Sequence, residues 1–458
     1  MTARTHRQVD RRYRTHGTIL IVTIWVVLVL AGLALVFARS IRVAAIVSRN
    51  HVASLEAECI AAGASAYIRA RLAQTDEEET TSSSSSTDAD EYRALQVGEG
   101  YFWVLHSNLE DDDDYDYGLT DEAGKINLNS ASEEMLLKLP GMTAELAASI
   151  IDWRDEDSEV TTGGAENEYY LLQSEPYNCK NAPLQTVVEI LLIKGASEEL
   201  LYGEDTNLNG VLDDHENDGD LSAPSDDRDG RLDTGFYDYV TVYSVEANTD
   251  SQGNARINVN DSSSRSDLQS ALQEMVKEER ALEIMGMMST NPSYDNILEF
   301  YFQVGLTSEE FAQLADKLTT SDEETLSGLV NVNTASKEVL LCLPGLEEND
   351  AEALLSYRER NGAQTSLAWI VDVLDQDKAI AIGSYITARS SQYSADIVCL
   401  SGNGRAYKRY KAVFDVQSGS PRMVYWKSLT SFGWPLNRQI VATLREGKPL
   451  TEMILSMN

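Results

Sequence analysis

Hydrophobic and polar positions divide the chain into stretches of different period. Thr18 to Phe37 reads T-I-L-I-V-T-I-W-V-V-L-V-L-A-G-L-A-L-V-F and holds no charge. About 20 apolar residues, at ~1.5 Å rise each, match the ~30 Å hydrocarbon core of a bilayer, so a membrane-spanning helix is expected. Residues 39–74 continue helical. Ala45, Val52, Leu55, Cys59, Ala62 and Ala66 recur at helical spacing and predict one packing face with small residues on it. Joined, the two stretches make one helix of roughly 85 Å. Thr75 to Glu91 is rich in Asp, Glu, Ser and Thr, has no period and reads as a loop. Tyr101–Leu105 is aromatic and β-branched, a strand. Glu110–Asp114 is an acidic turn, and Tyr115–Thr120 is the next strand. Tyr237–Tyr243 alternates like a strand, and Ser366–Leu374 reads as an apolar helix. Ser384–Arg389, Ser394–Leu400, Tyr407–Val416 and Met423–Leu429 predict antiparallel strands between Gly/Ser/Pro turns, rejoining the strands before Ile126. Trp434–Asn458 has only weak helical character.

An internal repeat is the strongest pattern. Ile126-Asn127-Leu128-Asn129-Ser130-Ala131-Ser132 recurs as Val330-Asn331-Val332-Asn333-Thr334-Ala335-Ser336. At the same offset Leu139-Pro140-Gly141 matches Leu343-Pro344-Gly345, Ala147 matches Ala351, and Trp153-Arg154 matches Tyr357-Arg358. Ser130 and Thr334 are read as helix N-caps, with Glu133 completing a capping box. An apolar helix, a Pro-Gly break and a second helix follow, a helix-hairpin-helix-like unit. A shortened echo, Ile257-Asn258-Val259-Asn260, opens another helical stretch from about Asp267 to Met288.

The expected fold class is therefore α+β: a long N-terminal pilin-like helix, an antiparallel β-sheet head and a large inserted helical domain. The boundaries expected are a leader over 1–17, the helix over 18–75, the first part of the head over 76–125, the inserted domain over 126–380, and completing strands over 381–458. The repeats occupy 126–158 and 330–362.

Charge narrows the function. Of 458 residues, 74 are acidic and 37 are Lys or Arg, for a formal charge of −37. Such a surface repels nucleic acid and invites divalent cations. Hairpins that hold a DNA phosphate need a Gly-x-Gly turn with nearby cations. Here Thr143 and Glu347 replace the second Gly, and Glu145, Glu348 and Asp350 flank the turns. Four cysteines, Cys59, Cys179, Cys342 and Cys399, allow three full pairings; Cys342 on an apolar helical stripe is expected as a buried free thiol.

Asp205-Thr206-Asn207-Leu208-Asn209-Gly210-Val211-Leu212-Asp213-Asp214-His215-Glu216 fits the calcium-loop pattern D-x-[DN]-x-[DN]-G-x5-E. Calcium wants six to eight hard oxygens. Asp205, Asn207 and Asn209 supply side-chain oxygens and Gly210 the sharp turn. Val211 supplies a carbonyl, Asp213 a direct or water-mediated contact, and Glu216 a bidentate carboxylate. Asp218, Asp220, Asp226, Asp227, Asp229 and Asp233 fit no template, so a second site there stays open. Of five histidines, only His106 lies outside the leader, the stalk and this loop. It has no nucleophile motif beside it, so no enzyme is expected.

Arg4, Arg7, Arg11, Arg12 and Arg14, against the single acid Asp10, precede the apolar run. By the positive-inside rule residues 1–17 stay cytoplasmic and the rest after Phe37 is exported. A basic leader ending in Gly17, directly before an intact apolar helix, resembles a type IV prepilin signal cut between Gly17 and Thr18; a plain single-pass anchor is the alternative. Further on come Gly163-Gly164-Ala165-Glu166, Tyr169-Tyr170, Pro176-Tyr177, Asn181-Ala182-Pro183-Leu184 and Val188-Glu189-Ile190. With the repeats, this order resembles the minor pseudopilin K family of the type II secretion system (general secretion pathway protein K). Val22, at mature position five, agrees with that family's lack of Glu there.

The resemblance implies a subunit at the tip of the pseudopilus that assists export of folded proteins. It implies as partners other minor pseudopilins (I-like and J-like), the major pseudopilin fibre and prepilin peptidase, with no nucleic acid. It implies a single pass through the inner membrane of a diderm bacterium, a globular part in the periplasm, and calcium in the helical domain. The segment from about Asp205 to Lys317 is longer than in common members. The alternative reading is a membrane-anchored helix-hairpin-helix DNA receptor for DNA uptake.

Overall fold

The computed structural model describes residues 15–74, 89–107, 114–226, 228–289 and 293–450. The expected leader arginines, most of the Thr75–Glu91 loop, most of the acidic run and the last residues lie outside them. Helix α1 runs unbroken over Thr15–Leu72. Its 58 residues span about 87 Å. Its apolar half is wholly exposed, with an 18-residue window of mean hydropathy 3.1.

In chain order, β1 (Leu95–Val97), β2 (Gly100–His106), β3 (Asp116–Tyr117) and β4 (Thr120–Asp121) precede the helical part. Within it lie β5 (Ile126–Asn127), β6 (Val240–Thr241), β7 (Val245–Ala247), β8 (Ile257–Asn258), β9 (Leu318–Thr319), β10 (Thr325–Ser327), β11 (Val330–Asn331) and β12 (Ile386–Thr387). Then come β13 (Gln392–Leu400), β14 (Tyr407–Asp415) and β15 (Arg422–Ser428). One antiparallel sheet runs β1-β2-β13-β14-β15, with β3 beside β2 and β4 beside β13. The sheet thus draws strands from both sides of the helical part. The chain leaves it at β4 and re-enters at β13, where Asp121 stands opposite Tyr393.

The second half of α1 crosses this sheet. Ile60, Ala61, Ala64 and Ile68 pack on Phe102, Val104, Ile397, Cys399 and Phe414. Burying Ile60 and Ile68 contributes roughly 1.5–3 kcal/mol each. This corrects the expected face: Val52, Leu55, Cys59, Ala62 and Ala66 point outward. Both stripes have helical period and small residues. The sheet selects the one carrying the two isoleucines, because their branched side chains fill the space between its strands. On the opposite sheet face Trp103, Val398 and Leu400 pack on Leu436, Ile440 and Leu444. The weakly helical C-terminal stretch therefore holds a real helix, Arg438–Arg445, whose apolar side closes that face.

The helical part is built from three units. Each opens on an I/V-N-x-N strand and closes on a strand ending in Thr, paired parallel: β5 with β6, β8 with β9, and β11 with β12. The side-chain bonding is the same in all three. The first Asn of each motif (127, 258, 331) accepts from the N–H two residues on, at 2.8, 2.9 and 3.0 Å. It donates to the side chain three residues past the closing Thr: Ser244, Asp322 and Ser390. The second Asn clamps both backbone groups of one distant residue. Asn129 holds Leu184, Asn260 holds Tyr294 and Asn333 holds Gln364. The echo at Ile257 is thus a full third unit.

Other expectations are corrected by this scheme. Ser132 and Ser336 are the helix N-caps, accepting from Met135 and Val339. Ser130 instead folds back on Asn127, and the Thr334 hydroxyl is drawn to Asp121. Tyr237–Tyr243 is not one strand: a 3-10 turn, Tyr237–Tyr239, drops Tyr239 and Val240 into the helical core before the two-residue β6. Ser384–Arg389 gives only β12, which pairs parallel with β11 outside the main sheet. Asp267–Met288 breaks at Val276 into Arg265–Met275 and Glu278–Met288, so Leu272 and Ile284 reach the same core. The arginines of the two hairpin repeats act alike: Arg154 donates to the carbonyls of Leu128 and Ala131, and Arg358 to that of Ala335. Each ties the second helix to the turn that starts its unit.

The clamps should carry stability. Asn333→Ala removes three side-chain hydrogen bonds, two to the backbone of Gln364 and one to the Ala388 carbonyl, a loss of about 2–4 kcal/mol. Calorimetry of the detergent-solubilised chain should show the helical transition lowered by roughly 5 °C or more; an unchanged melt would show that the clamp contributes nothing.

Candidate metal centre

The loop 205–216 follows helix Glu198–Tyr202 and lies on the sheet face opposite α1. Its anchor is Arg409 on β14, which is fully buried. Arg409 binds the Asp396 carboxylate at 2.6 and 2.9 Å and donates to the carbonyls of Asn207 and Leu208. Asn209 donates to the Pro435 carbonyl at 2.9 Å. The loop is thus fixed at its tip to both the sheet and the C-terminal segment.

Asp205, Asn207, Asn209, Val211 and Glu216 are buried, and Asp213 is half-buried. Asp205 accepts from the N–H groups of Asn209 and Gly210 at 3.0 and 2.9 Å. Glu216 accepts from Thr206 and from the Asp213 N–H. Asp213 takes the amide NH2 groups of Asn207 and Asn209 at 2.7 and 3.2 Å. That leaves Oδ1 of Asn207 buried without a donor. Asp213, His215 and Glu216 offer ligand atoms within 4.8 Å of one another. His215 was given no role from sequence, and Asp205 stands outside this tight group. Burial, followed by the charge of Glu216, pushes the Asp205 carboxyl up to about 7. Two buried carboxylates and an orphan amide oxygen fit a hard cation that takes oxygen ligands.

A second acidic group went unseen in the sequence. Asp155, Asp157 and Glu166 bring carboxylate oxygens within 4.8 Å of one another. Glu166 is 3% exposed; the Asn167 N–H, the Asn181 side chain and the Cys179 thiol lie near its carboxylate, but none is aligned for a full hydrogen bond. Asp155 Oδ1 and Asn181 Oδ1 are likewise buried without donors. Asn181 is held in the left-handed region, at φ 46°, and donates to the Asp157 carbonyl. Burial raises the Glu166 carboxyl, so the charged form costs free energy there unless a proton or a cation answers it. The only sequence signal is Asp-x-Asp at 155–157; Glu166 and Asn181 sit on separate loops. The open acidic run does less. Asp226 accepts from the N–H groups of Asp218 and Gly219, and Asp218 from Ser222. Those carboxylates serve as turn anchors, and Asp227 lies outside the described residues.

His106 is bonded to Thr120 at 3.0 Å, and burial lowers its pKa. It faces a cavity of about 260 Å³ that Lys125, Asp238 and Lys411 also line. All four cysteines are free, and Cys342 is buried, as expected.

Comparison with known proteins agrees with this architecture. Residues 120–202 match the family model for type II secretion system protein K, and residues 327–375 that for the helix-hairpin-helix motif. Type II secretion system protein K of Klebsiella pneumoniae is 39% identical over 61 residues, 13% of this chain and 19% of that protein. The aligned segment thus spans about a fifth of the length of that relative. The crystal structure of the GspK–GspI–GspJ complex of the enterotoxigenic Escherichia coli type 2 secretion system aligns over 82% of this chain and 96% of that one, at 13% identity and TM-score 0.41. With an exposed apolar helix and an antiparallel sheet beside it, the first helical unit of the chain carries a segment similar to protein K, and the chain as a whole resembles the protein K minor pseudopilins of type II secretion.

Proposed function

We propose that this pseudopilin sits at the tip of a pseudopilus and assists export of folded proteins across the outer membrane, with no catalysis of its own. The observation that carries the reading is how the two halves of the chain are joined. Residues 126–387 form three units hung from one end of a small sheet, while α1 leaves a second small-residue stripe free below it. Helices of a fibre pack through such stripes, but helical bulk of that size would clash between stacked subunits. An end position accommodates both. The apolar segment is stored in the inner membrane, with the head in the periplasm, until the helix is drawn into the fibre. I-like and J-like minor pseudopilins would be its immediate neighbours, the major pseudopilin the fibre below, and prepilin peptidase the enzyme that cuts after Gly17. The DNA-receptor alternative is not favoured: Glu145, Glu347, Glu348 and Asp350 would meet a phosphate with like charge.

Co-expression tests the position. The chain should co-purify in a stable complex with I-like and J-like pseudopilins of its own operon and bind the major pseudopilin more weakly; equal incorporation along isolated fibres would rule out a tip role. Gly17→Trp should leave the precursor uncut on an immunoblot, and normal processing would reduce the helix to a plain anchor.

We also propose calcium at the loop, held by Asp205, Asn207, Asn209, the Val211 carbonyl, Asp213 and Glu216. The Asp155–Asp157–Glu166 group with Asn181 is a second place for it. Saturating calcium stabilises a folded site by ~2.7 kcal/mol at a hundredfold excess over Kd, or roughly 5–10 °C in Tm. Asp205→Ala with Glu216→Ala should remove the loop's share of that shift, and adding Glu166→Gln the rest. A melt indifferent to chelation would leave two acidic clusters and no metal. Because the Asp205 carboxyl titrates near 7, protons compete with calcium, so loop affinity should fall as pH drops from 8 to 6. Without calcium the sign reverses: a carboxyl raised in the fold gains stability on protonation, so the calcium-free head should melt higher at pH 5 than at pH 8.

A further inference from the structure

Strand β15 is the open edge of the sheet; among the described residues no strand pairs with its outer side. Its register with β14 shifts once. Tyr425 stands opposite Val413 and Met423 opposite Phe414, so Val424 is an extra residue. A one-residue bulge resets which face the side chains point to. Arg422 and Lys427 are five apart and would otherwise face opposite ways. They stand opposite Asp415 and Lys411, which are four apart and share a face. Tyr425 lies between them on that face. Met423 points the other way, where the Ser65 hydroxyl of α1 meets its sulfur at 3.8 Å.

The charge here runs against the rest of the molecule. Residues 401–450 carry nine Lys or Arg and two acids, in a chain of formal charge −37. Ion pairs in this region use Lys408, Arg409 and Lys448. Arg422 and Lys427 are exposed and take no part in them. Bulges and cations often protect an edge from stray pairing. Here the bulge itself carries no charge. Instead Met423 and Val424 are 42% and 40% exposed there.

We propose that β15 docks an extended, acidic segment of a neighbouring subunit, which adds as a new edge strand. Open backbone groups give it affinity. Val424 and Tyr425 give apolar contact. Arg422 and Lys427, effectively four residues or ~13 Å apart, select carboxylates at that spacing. The neighbour comes from the assembly proposed above, but a peptide reads the edge directly, so its failure and a failure of co-purification are separate results.

The probe is an acetylated nine-residue peptide of alternating Val and Thr with Glu at positions three and seven. Its binding to the full chain in neutral detergent is followed by fluorescence anisotropy. Saturable binding is expected, weakened at least tenfold by Arg422→Glu with Lys427→Glu, by Val424→Lys, or by proline at position five of the peptide. The melting temperature of each variant confirms that it folds. Absent binding, or binding that survives the charge reversal or the proline, overturns the proposal. So does self-association of the chain that depends on Arg422 and Lys427, which assigns the edge to a second copy. Capture by phosphatidylglycerol vesicles without peptide binding also overturns it, and assigns the cations to a membrane surface.

Discussion

One carboxylate sits where the chain leaves the sheet and where it returns. Asp121 ends β4, is 4% exposed, and accepts from Asn331 at 3.0 Å, Thr334 at 2.5 Å, and the Ser390 hydroxyl. Those partners belong to the start and the end of the third helical unit. The backbone N–H of Ala123 adds a further bond at 2.8 Å. Burial raises the Asp121 carboxyl and the hydrogen bonds oppose that rise. No Lys or Arg pairs with it among the described residues, so the carboxyl is held by dipoles alone, an arrangement that tolerates little movement. This knot ties the third helical unit to the sheet.

The same economy recurs at every scale of the molecule. Three units use one Asn as a local turn former and a second as a long-range clamp. The parallel strand pairs are only two residues long, far too short to be stable alone. They persist because side chains close each pair at both ends and a common apolar core runs beneath all three units. Arg409 plays the corresponding part between the loop 205–216 and the sheet: a buried cation whose donors are shared between one carboxylate and two carbonyls. Its burial is tolerable because the Asp396 carboxylate and two backbone carbonyls take its donors.

Much of this was legible in the sequence, where the signal is local. The apolar run, the hairpin repeats and the strands 392–400, 407–415 and 422–428 follow from period and composition. What escaped was non-local. The closing motifs Val240-Thr241, Leu318-Thr319 and Ile386-Thr387, each with Ser or Asp three residues after the Thr, are too short to notice until their Asn partners are known. The third unit was therefore reduced to an echo. The packing face of α1 was misassigned because two stripes of equal period differ by only a few side-chain carbons. The loop 205–216 is contiguous, so its calcium-loop pattern could be matched residue by residue. The Asp155, Asp157, Glu166 and Asn181 group is assembled from separate loops and shows itself only through unanswered oxygens.

Two chain crossings join the helical units to the sheet, and they enter it side by side at Asp121 and Tyr393. A body held by a single linker can swivel; one held by two adjacent crossings resists torsion as a doubled tether does. Any push delivered along α1 reaches the helical units as a transmitted load, without first being lost in rotation about a joint. The nine-residue, fully buried β13, bonded on both sides, is the beam that carries it.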